Sequence, residues 1–260
     1  MDIKEKNYKD HCRNLKVAIQ ADRGIIVGSD LTQEWLLPWW WERYNSHNTF
    51  PVTFMDMGLS KPMQNWCLDH GKLVKIGNYG QFVTDKEELD PSFVSYIESR
   101  QGKRQWQSRR PWFLKPLACL HAPYQQNLWI DLDCEIRGTL DPVFSLWHDS
   151  SDIALAKEPL GPLDPYYNSG VIGFSKHSTL ILAWALEAFH GHLIHPGDQD
   201  LLSALIAKLS SCVTEIPPTY NWSRLKGDNS KAIIYHWHGI YGKTIISHMI
   251  QKKKLPLAFS

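Results

Sequence analysis

The sequence predicts an α/β protein with a doubly wound, mostly parallel sheet flanked by helices, in a single domain spanning residues 1–260. Two observations carry that expectation. Short apolar runs bounded by turn residues alternate with segments of helical periodicity, which is the rhythm of a parallel sheet built from βαβ units. Polar clusters recur where those runs stop, and an open α/β sheet keeps its ligand crevice there.

The elements follow in order. Residues 1–23 are polar and charged and read as an N-terminal arm or short helix packed on the domain. Residues 24–28, Gly-Ile-Ile-Val-Gly, form the first buried strand and end at Ser29-Asp30. Asp30 or Thr32 caps a helix that runs through Trp35, Leu36, Trp39 and Trp40 toward Tyr44, with Pro38 at a kink or restart. Residues 51–57 form a second strand, a helix runs from Lys61 to His70 and closes at Gly71, and residues 73–76 form a third strand. Residues 101–110 read as a mobile basic loop around Trp106, and a long loop inside a domain usually has a function. Residues 111–121 are helical, and a turn at Ala122-Pro123-Tyr124 leads to a buried strand at 128–130.

Strands at 152–156 and 171–174 flank a Pro/Gly-rich loop at 160–165, and Asn168-Ser169-Gly170 precedes the later strand as a loop or turn. A helix covers 178–189. Asp198 or Asp200 opens another, in which Leu201, Leu202, Leu205, Ile206 and Leu209 make an apolar stripe. After the Pro217-Pro218 break a last strand occupies 232–235, and residues 244–260 form a C-terminal tail.

Composition narrows the function classes. Lys plus Arg (28) nearly balances Asp plus Glu (27), so no global field argues for a nucleic-acid partner. Lys252-Lys253-Lys254 is a local exception, more often a solvated tail than a binding patch, with contact to a membrane surface as the alternative. Cys12, Cys67, Cys119, Cys134 and Cys212 stand singly with no C-x-x-C pair, which argues against a disulfide framework or zinc knuckle and fits a reducing compartment. No signal-peptide core or membrane-length apolar run is visible, so a cytoplasmic protein is expected. The 12 tryptophans invite a carbohydrate-stacking role, but most indoles in a domain are core.

The chemistry centres on Asp131 and Asp133, delivered by the 128–130 strand with one residue between them. On a strand that continued straight, both carboxylates would face one side and repel. A divalent cation offsets that repulsion, and hard ions such as Mg²⁺ or Mn²⁺ take oxygen ligands. Taken alone, an Asp-x-Asp after an apolar run is more often an ordinary solvated strand end. Its company favours the metal: Ser29-Asp30, Asn168-Ser169-Gly170 and the His236 to Lys243 segment also flank strands, and Asp198-Gln199-Asp200 starts a helix.

In this order the motifs resemble the nucleotide-sugar glycosyltransferases of the GT-A fold, most closely family 8. The matching residues are Asp30 after the first strand, Lys115 upstream, Leu128-Trp129-Ile130-Asp131-Leu132-Asp133, Gly138-Thr139-Leu140-Asp141-Pro142-Val143-Phe144, Asn168-Ser169-Gly170-Val171, Asp198-Gln199-Asp200, and a closing His-x-x-Gly with Lys243 behind it. The resemblance spans residues 24–243. It implies hexose transfer from a nucleotide-diphosphate sugar, UDP-linked, to an acceptor hydroxyl with retention of configuration. Asp131, Asp133 and His236 would then hold Mn²⁺ or Mg²⁺, and Lys243 would pair with the phosphates. Asp30 would meet the nucleoside, Lys115 the donor phosphate or sugar, and Asn168, Asp198 and Gln199 the transferred sugar.

His236 and His238 alternate along a strand end, so only one of them faces the aspartates, and a shifted register would exchange their roles. The lysine lies four residues after Gly239, where the family places it three after. Residues 39–41, the loop around Trp106 and the loop 160–167 are candidates for an acceptor groove; whether the acceptor is a glycan, lipid or protein stays open. Two other classes fit parts of the pattern: a degenerate sugar-nucleotide-binding protein without turnover, and a metal-dependent nucleotidyltransferase or phosphodiesterase. A Gly-rich phosphate loop with a basic residue after the first strand would mark a nucleotidyltransferase, and Ile26-Val27-Gly28-Ser29-Asp30-Leu31 lacks one.

Overall fold

A computed structural model describes residues 2–76, 81–103, 106–147, 152–158 and 165–254. A seven-stranded sheet runs in the order β3 (Lys72–Lys75), β2 (Val52–Asp56), β1 (Ala21–Ser29), β4 (Tyr124–Ile130), β7 (Tyr167–Ser175), β6 (Ile153–Lys157), β8 (Val213–Glu215). The four strands from β3 to β4 are parallel, β7 is antiparallel to both its neighbours, and β6 and β8 are parallel. The doubly wound, mostly parallel sheet is therefore borne out. From β1 the chain winds outward through β2 to β3, then returns to β4 on the other side of β1. Their adjacent carboxyl ends make the switch point where α/β sheets place ligands.

Alternation along the strands explains why the sheet is covered twice. Ile26, Trp129 and Ile172 share one core with α1 (Ile3–Asn14), α5 (Trp106–Leu120), α7 (Thr179–Gly191) and α8 (Asp198–Leu209). Ile25, Val27, Leu128 and Ile130 face the other way, against α2 (Leu37–Asn45), α3 (Lys61–His70), the short α6 (Asp141–Phe144) and α9 (Gly239–Lys254). A second, three-stranded sheet lies beyond β4, in the order β5 (Cys134–Ile136), β10 (Ile234–His236), β9 (Trp222–Ser223).

Several sequence expectations change. The arm is α1, anchored where Tyr8 Oη donates to the Ala185 carbonyl (2.8 Å), and β1 already starts at Ala21. The tail is helical through Lys254, because Ile246 is buried on the inner face of α9. Lys253 of the basic cluster pairs with Glu42 of α2. Asp30 caps no helix; its carboxylate accepts from Thr32 N (3.0 Å) and Oγ1 (2.7 Å), and α2 starts at Leu37 with Pro38 in its first turn. Trp39 and Trp40 are buried and Trp41 packs on Phe54 and Trp66, so these indoles build core rather than a groove.

The expected basic loop is the end of α4 (Pro91–Gln101) and the start of α5, which carries Pro111 and Pro116 in its interior. Arg109 turns inward and donates to the carbonyls of His192 and His195, where a cation meets the negative end of α7. Asn168-Ser169-Gly170 lies within β7 rather than in a turn. Gly197, not Asp198, is the N-cap of α8, and the Asp200 carboxylate reaches back to accept from Gly197 N (3.1 Å). The loop 160–165 falls mostly outside the described residues. No described helix is long and apolar enough to cross a membrane.

Burial holds the His192 imidazole below its ordinary 6.5, down to about 4, and also lowers His121 and His195. A depressed folded-state value contributes stability that is complete above 6.5 and is lost as pH falls toward 4. Thermal melts are expected to show Tm falling from about pH 7 to about pH 5, with His192→Gln narrowing that fall. A Tm that is level over this window in both proteins would contradict the buried-histidine account.

Candidate active site

The Asp-x-Asp segment is a corner, not a strand end. β4 stops at Ile130, and Cys134 N donates to the Asp131 carbonyl (3.1 Å), closing a tight turn before β5. The two carboxylates therefore do not share the face of one continuing strand. Asp131 N donates to the Gly170 carbonyl (2.8 Å) and holds that residue to the large sheet. Trp237 N donates to the Asp133 carbonyl (2.9 Å) and holds the other to the small sheet. The corner joins the sheets and presents a carboxylate from each side.

Asp131 is met by Trp129 Nε1 (2.6 Å), two residues earlier and hence on the same strand face. Lys115, buried in α5, lies 3.0 Å from Asp131, 2.9 Å from Asp198 Oδ2 and 3.2 Å from the Ser169 carbonyl. An ammonium has three hydrogens, and all three are taken. Burial alone would lower the Lys115 pKa, but the two carboxylates raise it instead. Burial, with Asp133 adding repulsion, raises that of Asp131 against the pull of Lys115.

Asp133 meets Lys243 Nζ at 2.7 Å and His236 Nε2 at 3.3 Å. Burial works against its charge, yet Lys243 and His236 hold its carboxyl well below the usual carboxylate range. Two glycines bring Lys243 there. Gly239 adopts φ +79°, a left-handed turn that lets α9 start directly after β10. A Cβ on Gly242 would lie 1.5 Å from the Trp237 carbonyl oxygen, so only glycine lets the first turn of α9 close on that backbone.

His236 has a similar neighbour: a Cβ on Gly170 would stand 2.2 Å from its Cε1. The glycine of Asn168-Ser169-Gly170 thus makes room for an imidazole from the other sheet. His238 points elsewhere, with Nε2 2.7 Å from Ser223 Oγ. Burial, reinforced by His236, pushes its imidazole down to about 3. Of the two histidines it is His236 that faces Asp133.

The structure brings Asp131, Asp133, His236, Lys243, Lys115, Asp198, Asn168 and Gln199 into one connected cluster. Gln199 Oε1 accepts from Ser169 N (3.1 Å), and Asp198 Oδ2 accepts from Ser169 Oγ (2.9 Å). Asp30 stands apart on its own Thr32 turn, across the switch point at the end of β1. Sequence reasoning missed Trp129, Ser223 and Asn221, whose side chain bonds both His236 and Asn168. Strand alternation from Asp131 back to Trp129 carried the signal for the first; nothing local marks the other two.

No protein-family model matches the chain, and no curated protein matches it in sequence. Solved structures do. The fold is similar to that of mouse xyloside xylosyltransferase 1 at 14% identity and TM-score 0.54, over 84% of this chain and 97% of that one. It is similar to the galactosyltransferase LgtC, determined with donor and acceptor sugar analogs, at 11% identity and TM-score 0.56, over 90% and 98%. The glycosyltransferase GlyE of Streptococcus pneumoniae matches at 13% identity and TM-score 0.58, over 89% and 64%. The chain has the GT-A fold. In this GT-A sheet the corner Asp131 to Cys134 follows directly from the strand that neighbours β1 at the switch point.

Removing the central cation leaves the buried Asp198 and the half-buried Asp131 uncompensated. Lys115→Met is expected to lose about 3–5 kcal/mol of unfolding free energy in urea titration. Adding Asp198→Asn should restore part of it, and a single variant as stable as the wild type would contradict the assigned role of Lys115.

Proposed function

We propose that the chain is a metal-dependent glycosyltransferase that moves a hexose from a UDP-linked sugar to an acceptor hydroxyl with retention of configuration. The observation that carries this reading is Asp133 set between His236 and Lys243, beside Asp131, at the carboxyl edge of a GT-A sheet.

Asp133 and His236 are placed to share a divalent ion, with Asp131 next along the corner. Ligand atoms of Asp133, Cys134 and His236 lie within 4.8 Å of one another. Burial and the neighbouring aspartates push the Cys134 thiol well above its usual range, so it stays protonated and is a poor ligand for a hard cation. That leaves carboxylate and imidazole, a set that suits Mn²⁺ better than Mg²⁺. Asp131, Asp133 and His236 would hold the ion. Once bound, it would offset the charge that develops on the diphosphate leaving group.

Lys243 sits on a flexible stem and can leave Asp133 for a phosphate, acting as a point charge. Asp30 would accept from the nucleoside across the switch point. Asp198 and Gln199 would stand by the transferred sugar. Lys115 spends its hydrogens within the protein, so it serves the donor by holding Asp131 and Asp198 rather than by reaching a phosphate. Front-side attack assisted by the leaving phosphate needs no enzymic base, in keeping with retention. A sugar-nucleotide-binding protein without turnover is the second reading. It is favoured by Lys115 and Lys243, which already balance both aspartates.

Asp133→Asn is expected to keep the wild-type circular dichroism spectrum at about 25 °C, with a lowered Tm because Lys243 and His236 lose their partner. It should lower Mn²⁺-dependent release of sugar from the UDP-hexose by about 100-fold or more, roughly 3 kcal/mol of barrier. Wild-type turnover by the folded variant rejects the metal assignment. Nucleotide binding without turnover by the wild type, with acceptors supplied, selects the second reading.

A further inference from the structure

A hydrogen-bonded series behind His236 has a polarity that can be read from one end. Gly170 N, a backbone amide, only donates, and it donates to Asn168 Oδ1 (2.9 Å). Asn168 Nδ2 donates to the Glu158 carboxylate (3.2 Å). Both ends of the Asn168 amide are thereby assigned. Asn221 meets Asn168 at Oδ1 (2.9 Å) and at the carbonyl oxygen (3.4 Å), both acceptors, so it must turn Nδ2 toward them. Its Oδ1 then faces His236 Nδ1 at 3.0 Å, and Nδ1 carries the hydrogen. Asn168, Asn221 and His236 are all at least 95% buried, so water does not compete for these bonds.

The consequence falls on the other ring nitrogen. Nε2 of the neutral ring is an acceptor, and it faces Asp133 Oδ1, a second acceptor, at 3.3 Å. In the imidazolium a second hydrogen on Nε2 fills that gap and donates to Asp133; in the neutral ring two lone pairs meet there and ask for a cation. We propose that Asn221, oriented by Asn168, is a positioning residue that holds His236 in the Nδ1–H tautomer, so that Nε2 and Asp133 form half of a divalent-cation site before any ion arrives. The cation part rests on the function proposed above; the tautomer does not. A metal-bound histidine is commonly oriented through its second nitrogen in this way. Asn168 is thereby assigned to the support of His236, its Oδ1 taken by Gly170 N and Asn221 Nδ2 and one Nδ2 hydrogen by Glu158.

The test is made on the full chain labelled with ¹⁵N-histidine. Long-range ¹H–¹⁵N correlation of the metal-free protein, with His236→Gln identifying the resonances, is expected to show Nδ1 protonated and, in the neutral ring, Nε2 bare. A neutral ring bearing its hydrogen on Nε2 overturns the proposal, and this decides even if variants fail to fold. In Asn221→Leu that preference should be lost, and Mn²⁺ affinity, read from the free-ion EPR signal, should fall about 10–100-fold. Unchanged affinity in the folded variant overturns the positioning role. Wild-type protein with the expected tautomer but no Mn²⁺ binding leaves the tautomer standing and removes the cation. Mn²⁺ binding with the opposite tautomer removes Asn221 and leaves the function.

Discussion

One buried and one half-buried carboxylate at a corner between sheets repel each other and resist ionisation, and the site depends on how that charge is compensated. Lys115 from α5 balances Asp131 and Asp198, and Lys243 from α9 balances Asp133. The compensating charges come from opposite sides of the molecule. Lys115 ties α5 to β4, β7 and α8, while Lys243 ties α9 to the corner. Buried ion pairs seldom add net stability over an apolar core of the same shape.

Space is rationed around the same corner. Gly170 leaves room for the His236 ring, and Gly242 lets the first turn of α9 rest on the Trp237 backbone. A side chain at Gly170 would displace the His236 ring, and one at Gly242 would push α9, which carries Lys243, off the Trp237 backbone. Gly239 is the exception, with a positive φ that turns the chain from β10 into α9. The three glycines put His236 and Lys243 on one carboxylate.

Much of the fold was legible in the sequence. The strand and helix rhythm predicts the parallel half of the sheet, since each βαβ unit is local, and α3 falls at its predicted boundaries because Ser60 caps it and Gly71 closes it. Asp131, Asp133, His236 and Lys243 were legible as a set through their order along the chain. What failed was nonlocal. The corner after Ile130 depends on pairing with β10, about 100 residues later. Pro111 reads as a helix start, yet α5 continues through it because packing of that helix outweighs the lost hydrogen bond. Arg109 looks like a surface charge until the carbonyl end of α7 is placed beside it. Asn221 follows a Pro-Pro break with no pattern around it, and its meaning comes from Asn168 and His236 alone.

A site of the proposed kind takes a divalent ion together with a nucleoside diphosphate. Calorimetric titration of UDP into the full chain, with and without Mn²⁺, tests it most directly. UDP binding that requires Mn²⁺ and is lost in His236→Ala is expected. Equal binding of UDP with and without the ion, or no binding by the folded protein, would contradict it.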